Sequence, residues 1–227
     1  MSSPGRVDRD FAATLSPRER RLASRLEGFG DIVFGFAVSQ CALQLPTVGG
    51  HVDLGHPFNL LYYFGTFALL AVLWLTYHRL LSGPYKPDRP DLGVAFEYLA
   101  LVSLMPYAMY STAHAESLAS ARAGVAEYAI LFASMMGLAA VLGFRNLRRG
   151  WWTLDDHERG LLWTGFLRQC VVCVMMALGA VVDLTLGPTS ASLAFFGIFI
   201  VIKLVRMRFK EPPRSVLPPR ESGVSTA

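Results

Sequence analysis

Apolar residues along the chain are gathered into six blocks, with polar residues, prolines and glycines concentrated between them. Each block is about 20 residues long, the length that an α-helix needs to cross the hydrocarbon core of a bilayer. The pattern therefore predicts an all-α membrane protein with six transmembrane helices per subunit. The predicted spans are 27–45, 59–81, 92–112, 124–144, 161–183 and 190–207.

The first helix is predicted to begin ahead of its apolar block, at Ser16-Pro17-Arg18-Glu19. Serine can accept a bond from a free backbone N–H, proline fits the first helical position, and Glu19 completes a capping box. Pro46 and the pair Gly49-Gly50 then favour a turn after the first span. The predicted organisation is a mobile tail over 1–15, a six-helix transmembrane domain over 16–210 and a disordered, proline-rich tail over 211–227.

Composition supports the membrane assignment. Of the 227 residues, 53% are hydrophobic and 17% are charged, whereas about a quarter of an ordinary soluble domain is charged. Six helices and two tails use this length, so no second sizeable domain is expected. The net charge of +4 could suggest a nucleic-acid partner. Because the basic residues lie between apolar blocks, topology explains them better, and we expect no nucleic acid to bind.

The basic residues are divided unevenly between the two sides that the spans define. Nineteen of the 21 Lys and Arg residues lie on the side of the termini, Arg122 lies on the opposite side, and Arg168 lies within the fifth span. Because positive residues are retained in the cytoplasm, both termini are predicted to be cytoplasmic. An even number of spans requires the same arrangement. No secretory signal peptide is recognisable before the first span.

One face of the first span carries a stripe of candidate functional residues. Phe36, Ser39 and Leu43 fall at i, i+3 and i+7, and Phe29 extends the same face toward Arg25. Such a stripe can line a pore or pack against another helix. Periodicity alone favours packing, because apolar stripes are what hold helix bundles together.

The first span nevertheless resembles the signature of the transmembrane protein 175 family of potassium channels. Arg25, then three residues, then Phe29-Gly30-Asp31 matches that family's arginine followed by Phe-Ser-Asp, and Leu43-Gln44-Leu45 matches its Leu-Glu-Leu-like segment. The end of the second span, from Trp74 through Tyr77 and His78 to Arg79, is similar to the family's Trp-x-x-His-His-Arg. The chain departs from the family pattern at Gly30, at Phe36 and at Tyr77, which replace a serine, an isoleucine or leucine, and a histidine.

The resemblance implies a potassium-type cation channel, a homotetramer with the first helix of each subunit around its axis. Phe36, Ser39 and Leu43 would line the pore, with selection by a hydrophobic constriction and hydroxyls rather than by a carbonyl filter. The expected permeant ion is K⁺ among the monovalent cations, with no bound cofactor or metal. The expected location is the cell membrane, as a multi-pass protein of a bacterial inner membrane.

Ionisable residues inside a membrane are costly, so each is a functional candidate. Asp31 and His78 should lie at similar depth near the cytoplasmic ends of their spans, which predicts that they form a hydrogen-bonded pair. Glu97 and Arg168 are a second candidate pair, although Arg168 could equally snorkel to the interface. Trp74 is expected to be an interfacial anchor, like the other tryptophans.

Other functions remain open at this stage. Cys170 and Cys173 form a C-x-x-C, which two small apolar residues on one helix face would also explain. With Asp31 and His78 they allow a small proton-coupled transporter or a membrane redox protein, and a non-conducting relative of the channels is a further alternative. No catalytic motif is found, so an enzyme is not expected.

Overall fold

The structure is a computed structural model that describes residues 15–45, 47–48, 51–52, 57–151 and 154–186. Over these residues the chain forms five long helices: α1 (Pro17–Leu43), α2 (Pro57–Ser82), α3 (Arg89–Ala113), α4 (Leu118–Gly150) and α5 (Asp156–Leu186). The predicted sixth span, 190–207, lies outside the described residues, as do the tail 211–227 and nearly all of the tail 1–15.

All five helices are long and apolar enough to cross a membrane. The prediction of an all-α membrane protein is therefore confirmed for the part of the chain that the structure describes, and the protein is assigned to the integral membrane proteins. Four of these five helices extend beyond both ends of their predicted spans, most clearly α4, which was predicted over 124–144 and covers Leu118–Gly150. The exception is α1, which begins ten residues before its predicted span 27–45 but ends at Leu43, two residues short of it. Hydropathy reports only the apolar stretch, whereas a helix continues into the polar interface.

The start of α1 follows the predicted capping box. The Ser16 hydroxyl accepts from the Glu19 N–H at 3.2 Å, and the Glu19 carboxylate accepts from the Ser16 N–H at 2.8 Å. Hydrogen bonds from Ser16, and then the nearby Lys86, hold the pKa of Glu19 below its usual value. The Lys86 ammonium lies 3.5 Å from the same carboxylate. This contact joins the beginning of α1 to the connection between α2 and α3.

A two-residue antiparallel bridge follows α1. It joins β1 (Thr47–Val48) to β2 (His51–Val52), with Thr47 opposite Val52 and Val48 opposite His51. The two intervening positions are the glycine pair at which the sequence predicts a turn. The chain thus reverses between the first two predicted spans.

The core of the bundle contains a cluster of aromatic rings contributed by α1, α2 and α3. Tyr77 and Tyr98 stack with ring centroids 5.5 Å apart, and Phe34 packs at 6.1 Å from Tyr77. The Tyr98 hydroxyl donates to the Leu73 carbonyl at 2.9 Å, which satisfies its polar end inside the core. Pro106 lies inside α3 without ending it. The cluster fixes the side of α1 that faces its own bundle.

Candidate functional site

The two faces of α1 are chemically different. Its inner face is formed by five buried residues at helical spacing: Leu26, Gly30, Phe34, Ala37 and Cys41. Its outer face carries the predicted stripe, with Phe36 58% exposed and Leu43 75% exposed. Arg25 and Ser39 are exposed on the same face. The stripe therefore takes little part in packing among the described residues, and it is available to water, lipid or another subunit.

Phe29 marks the edge of this outer face. Its ring meets Phe96 of α3 edge-on, with centroids 5.9 Å apart, so it is partly held within the described bundle. The Ser39 hydroxyl donates to the Gly35 carbonyl at 2.9 Å, which fixes the position of its oxygen. A serine oxygen used in this way keeps acceptor capacity for a cation or a water molecule.

Two polar contacts connect α1 to α2, on the N-terminal side of Phe36 in α1. The Trp74 indole N–H donates to Asp31 at 2.8 Å. One helical turn away, His78 Nδ1 lies 3.1 Å from a carboxylate oxygen of Glu27. The two contacts form a ladder, because α1 and α2 run in opposite directions and each contact is displaced by four residues in both helices.

The ladder corrects the predicted Asp31–His78 pair. The structure pairs His78 with Glu27 and gives Asp31 a different partner, Trp74. The predicted register was wrong by one helical turn, because depth estimated from span ends carries an error of that size. Trp74 is also more than an interfacial anchor, since its N–H satisfies an acidic side chain.

Gly30 and Tyr77, two of the residues at which the chain departs from the family pattern, are in contact. A Cβ added at Gly30 would overlap with Cε1 of the Tyr77 ring. The Tyr77 hydroxyl continues past Gly30 and donates to the Leu26 carbonyl at 3.2 Å. Glycine at position 30 therefore makes room for tyrosine at position 77, and the two residues act as one packing unit.

A cluster of four charged residues that sequence analysis did not identify joins α4 to the start of α3. Arg149 lies 2.5 Å from Asp88, Arg145 lies 3.3 Å from the same carboxylate, and both arginines contact Asp91. Asp91 is fully buried, and Asp88 is the N-cap of α3. The arginines were assigned only a topological role. The sequence did contain a signal for this cluster. Arg145 and Arg149 are four residues apart, and Asp88 and Asp91 are three residues apart, so each pair can present its charges on one side of a helix end.

The remaining candidates do not form a combined site with the stripe. The ion pairs among the described residues do not include one between Glu97 and Arg168. Arg168 lines a cavity together with Arg79 of α2, and Glu97 lines a separate groove. Cys173 packs over Gly137, where an added Cβ would lie 3.4 Å from its sulfur. Among the residues that the structure describes, no group of three or more His, Cys, Asp or Glu could hold a metal ion.

The fold and the α1 surface define a class, a multi-helix integral membrane protein whose first helix carries a stripe of residues that the other described helices leave exposed. No protein family, curated protein or solved structure gives a significant match to the chain. The likeness to the potassium-channel family therefore rests on the motifs in α1 and α2.

Proposed function

We propose that the protein is a potassium-type cation channel whose pore is lined by α1 from several identical subunits. The observation that carries the proposal is the outward orientation of Phe36, Ser39 and Leu43, which the rest of the described bundle leaves exposed. The α1 and α2 motifs described above add the resemblance to a channel family. A single copy of one helix cannot enclose an aqueous path, so the function requires symmetric assembly, by resemblance a tetramer.

The proposed constriction is a ring of Phe36 side chains, with Ser39 about one turn further along and Leu43 beyond it. Arg25 would surround the cytoplasmic entrance. Cation–π attraction between an ion and a phenylalanine ring is worth about 1–2 kcal/mol. That is small beside the cost of removing water from an ion, so we expect low conductance.

The test is ion flux through purified protein in liposomes, with potassium and sodium gradients compared and empty liposomes as the control. The proposal expects a small potassium flux that exceeds the sodium flux, together with a tetrameric mass in lipid nanodiscs. A monomeric mass would contradict the channel. Absence of flux from a correctly assembled tetramer would favour the non-conducting relative, and a visible absorbance band in the purified protein would favour the redox alternative.

A further inference from the structure

A cavity of about 480 Å³ lies between α2, α4 and α5, away from the α1 stripe. Arg79 and Arg168 line it, and the charge distribution places this end of the bundle on the cytoplasmic side. The rest of its wall is largely apolar and comes mainly from α5: Leu161, Leu162, Phe166, Leu167 and Val171. The cavity thus combines two positive charges with an apolar wall.

Neither arginine is neutralised by the part of the chain that the structure describes. The ion pairs and hydrogen bonds of those residues include none to the guanidinium of Arg79 or Arg168. Both side chains are exposed, so water and ions screen part of the repulsion between the two like charges that face the cavity, and an anion between them would remove the rest. This differs from the cluster at Arg145 and Arg149, where carboxylates balance the charge.

The polar groups beside the arginines limit the kind of anion that fits. Thr76 and Thr164 donate their hydroxyls to carbonyls of their own helices, at 2.8 and 2.7 Å. The Gln169 side chain also lines the cavity, is 6% exposed, and has an Oε1 atom without a hydrogen-bond partner. An occupant that carries a phosphate for the arginines and a hydroxyl for Gln169 would satisfy all three side chains.

We propose that this cavity binds an anionic phospholipid of the cytoplasmic leaflet, with its phosphate between Arg79 and Arg168. A hydroxylated headgroup such as phosphatidylglycerol supplies the donor for Gln169, and the apolar side chains of α5 accommodate the beginning of the acyl chains. Basic pockets between transmembrane helices on the cytoplasmic side suit such headgroups. The inference does not depend on the proposed channel function.

The experiment measures lipid binding to the delipidated, detergent-purified full chain by native mass spectrometry. Phosphatidylglycerol should bind more tightly than phosphatidylcholine. In the double variant Arg79→Gln/Arg168→Gln its affinity should fall about 30-fold, at about 1 kcal/mol for each basic residue lost. The matched control Arg20→Gln/Arg89→Gln removes two exposed cytoplasmic-side arginines and should bind like the parent.

A second pair of variants keeps both arginines. Gly165 lines the cavity and has open space around its missing Cβ, so Gly165→Leu should occupy the cavity and weaken binding. Gly160, on the same helix, also has open space but does not line the cavity, so Gly160→Leu is the control. Equal affinity for phosphatidylglycerol in the parent, in Arg79→Gln/Arg168→Gln and in Gly165→Leu would overturn the proposal. Inorganic phosphate displacing the lipid at millimolar concentration would indicate a free-anion site instead and would also overturn it.

Discussion

The Tyr77 ring lies directly against the backbone of Gly30, and this contact decides which residues each position can accept. An added side chain at position 30 would overlap with the ring, and Tyr77 is held in place by its bond to the Leu26 carbonyl and by stacking on Tyr98. The ring cannot move away at low cost, because protein interiors are closely packed.

Gly30→Ser is therefore expected to destabilise the protein by about 1–3 kcal/mol through overpacking. Replacing Tyr77 by histidine in the same chain should recover part of the loss, because contacting residues are not additive. Thermal unfolding in detergent measures the effect. Gly28→Ser is the matched control, since nothing lies within 4 Å of a Cβ at Gly28. Equal losses at the two glycines would contradict the assigned contact.

The ladder between α1 and α2 makes a second prediction at the scale of single residues. Double-mutant cycles should give a coupling of about 0.2–1 kcal/mol for Glu27→Gln with His78→Ala. A coupling of about 1 kcal/mol is expected for Asp31→Ala with Trp74→Phe, because each change removes one partner of the hydrogen bond. The cross pair, Asp31→Asn with His78→Ala, should be additive. Coupling in the cross pair with none in the two ladder pairs would restore the register that the sequence predicted.

Sequence reasoning singled out Asp31 and His78 but not the partner that the structure gives to either of them. Asp31 and His78 are visible as charges near span ends, and that was enough to mark them. Glu27 lies at the predicted edge of its span, so it was not considered as a buried partner, and Trp74 was assigned to the interface. Glu27 and Asp31 lie four residues apart, and which of the two faces His78 depends on how α1 and α2 pack against each other. Hydropathy does not report that packing.

Helix ends were predictable where local chemistry sets them. Ser16 and Glu19 predict the start of α1, and the structure contains both hydrogen bonds of the predicted capping box. The contact between the end of α4 and the start of α3 could not be predicted from local chemistry. It joins Arg149 to Asp88 and Asp91, which lie some 60 positions away in the sequence. Arg145 and Arg149, to which the sequence assigned only a predicted role in topology, thus also hold α4 against the start of α3.

At the scale of elements, Asp91→Asn is expected to be strongly destabilising. Its carboxylate is fully buried and contacts both Arg145 and Arg149, so its loss leaves Asp88 as the one carboxylate of the cluster facing two guanidinium groups. The expected cost is about 2–4 kcal/mol, measured as a lower unfolding midpoint in detergent. Asp156→Asn is the control, because Asp156 is 96% exposed and its pair with Arg159 should contribute under about 1 kcal/mol. Similar midpoints for the two variants would show that the cluster does not support the fold.

For the whole molecule, the charge distribution predicts a single orientation in the membrane. Cysteines introduced at the exposed positions Lys86 and Arg148 should be protected from an impermeant thiol reagent added outside intact cells, in a background without the native cysteines. A cysteine at the exposed Ser120 should react. Labelling at Lys86 or Arg148 from outside would contradict cytoplasmic termini.

The five described helices were largely predictable, because the length of an apolar block follows directly from the thickness of the bilayer. The orientation that the charge asymmetry indicates stays a prediction. Assembly from several copies stays a prediction based on the resemblance, since nothing local in a sequence reports contacts between copies. What the structure adds is that Phe36 and Leu43 point away from the described bundle while Ala37 is fully buried within it. The described helices therefore leave the face predicted from the motif uncovered, as a pore-lining role requires.

The most direct test of the pore is to compare Phe36→Ala with Phe64→Ala in liposomes. Phe64 lies on α2 and is 60% exposed, close to the 58% of Phe36, so the two variants remove the same side chain from similarly exposed positions. If Phe36 forms the constriction, Phe36→Ala should raise cation flux roughly tenfold, which corresponds to about 1.4 kcal/mol of barrier, and should reduce the preference for potassium over sodium. Phe64→Ala should leave the rate and selectivity of the parent unchanged. An unchanged flux in Phe36→Ala, with Phe64→Ala altering it, would show that α1 does not line the pore.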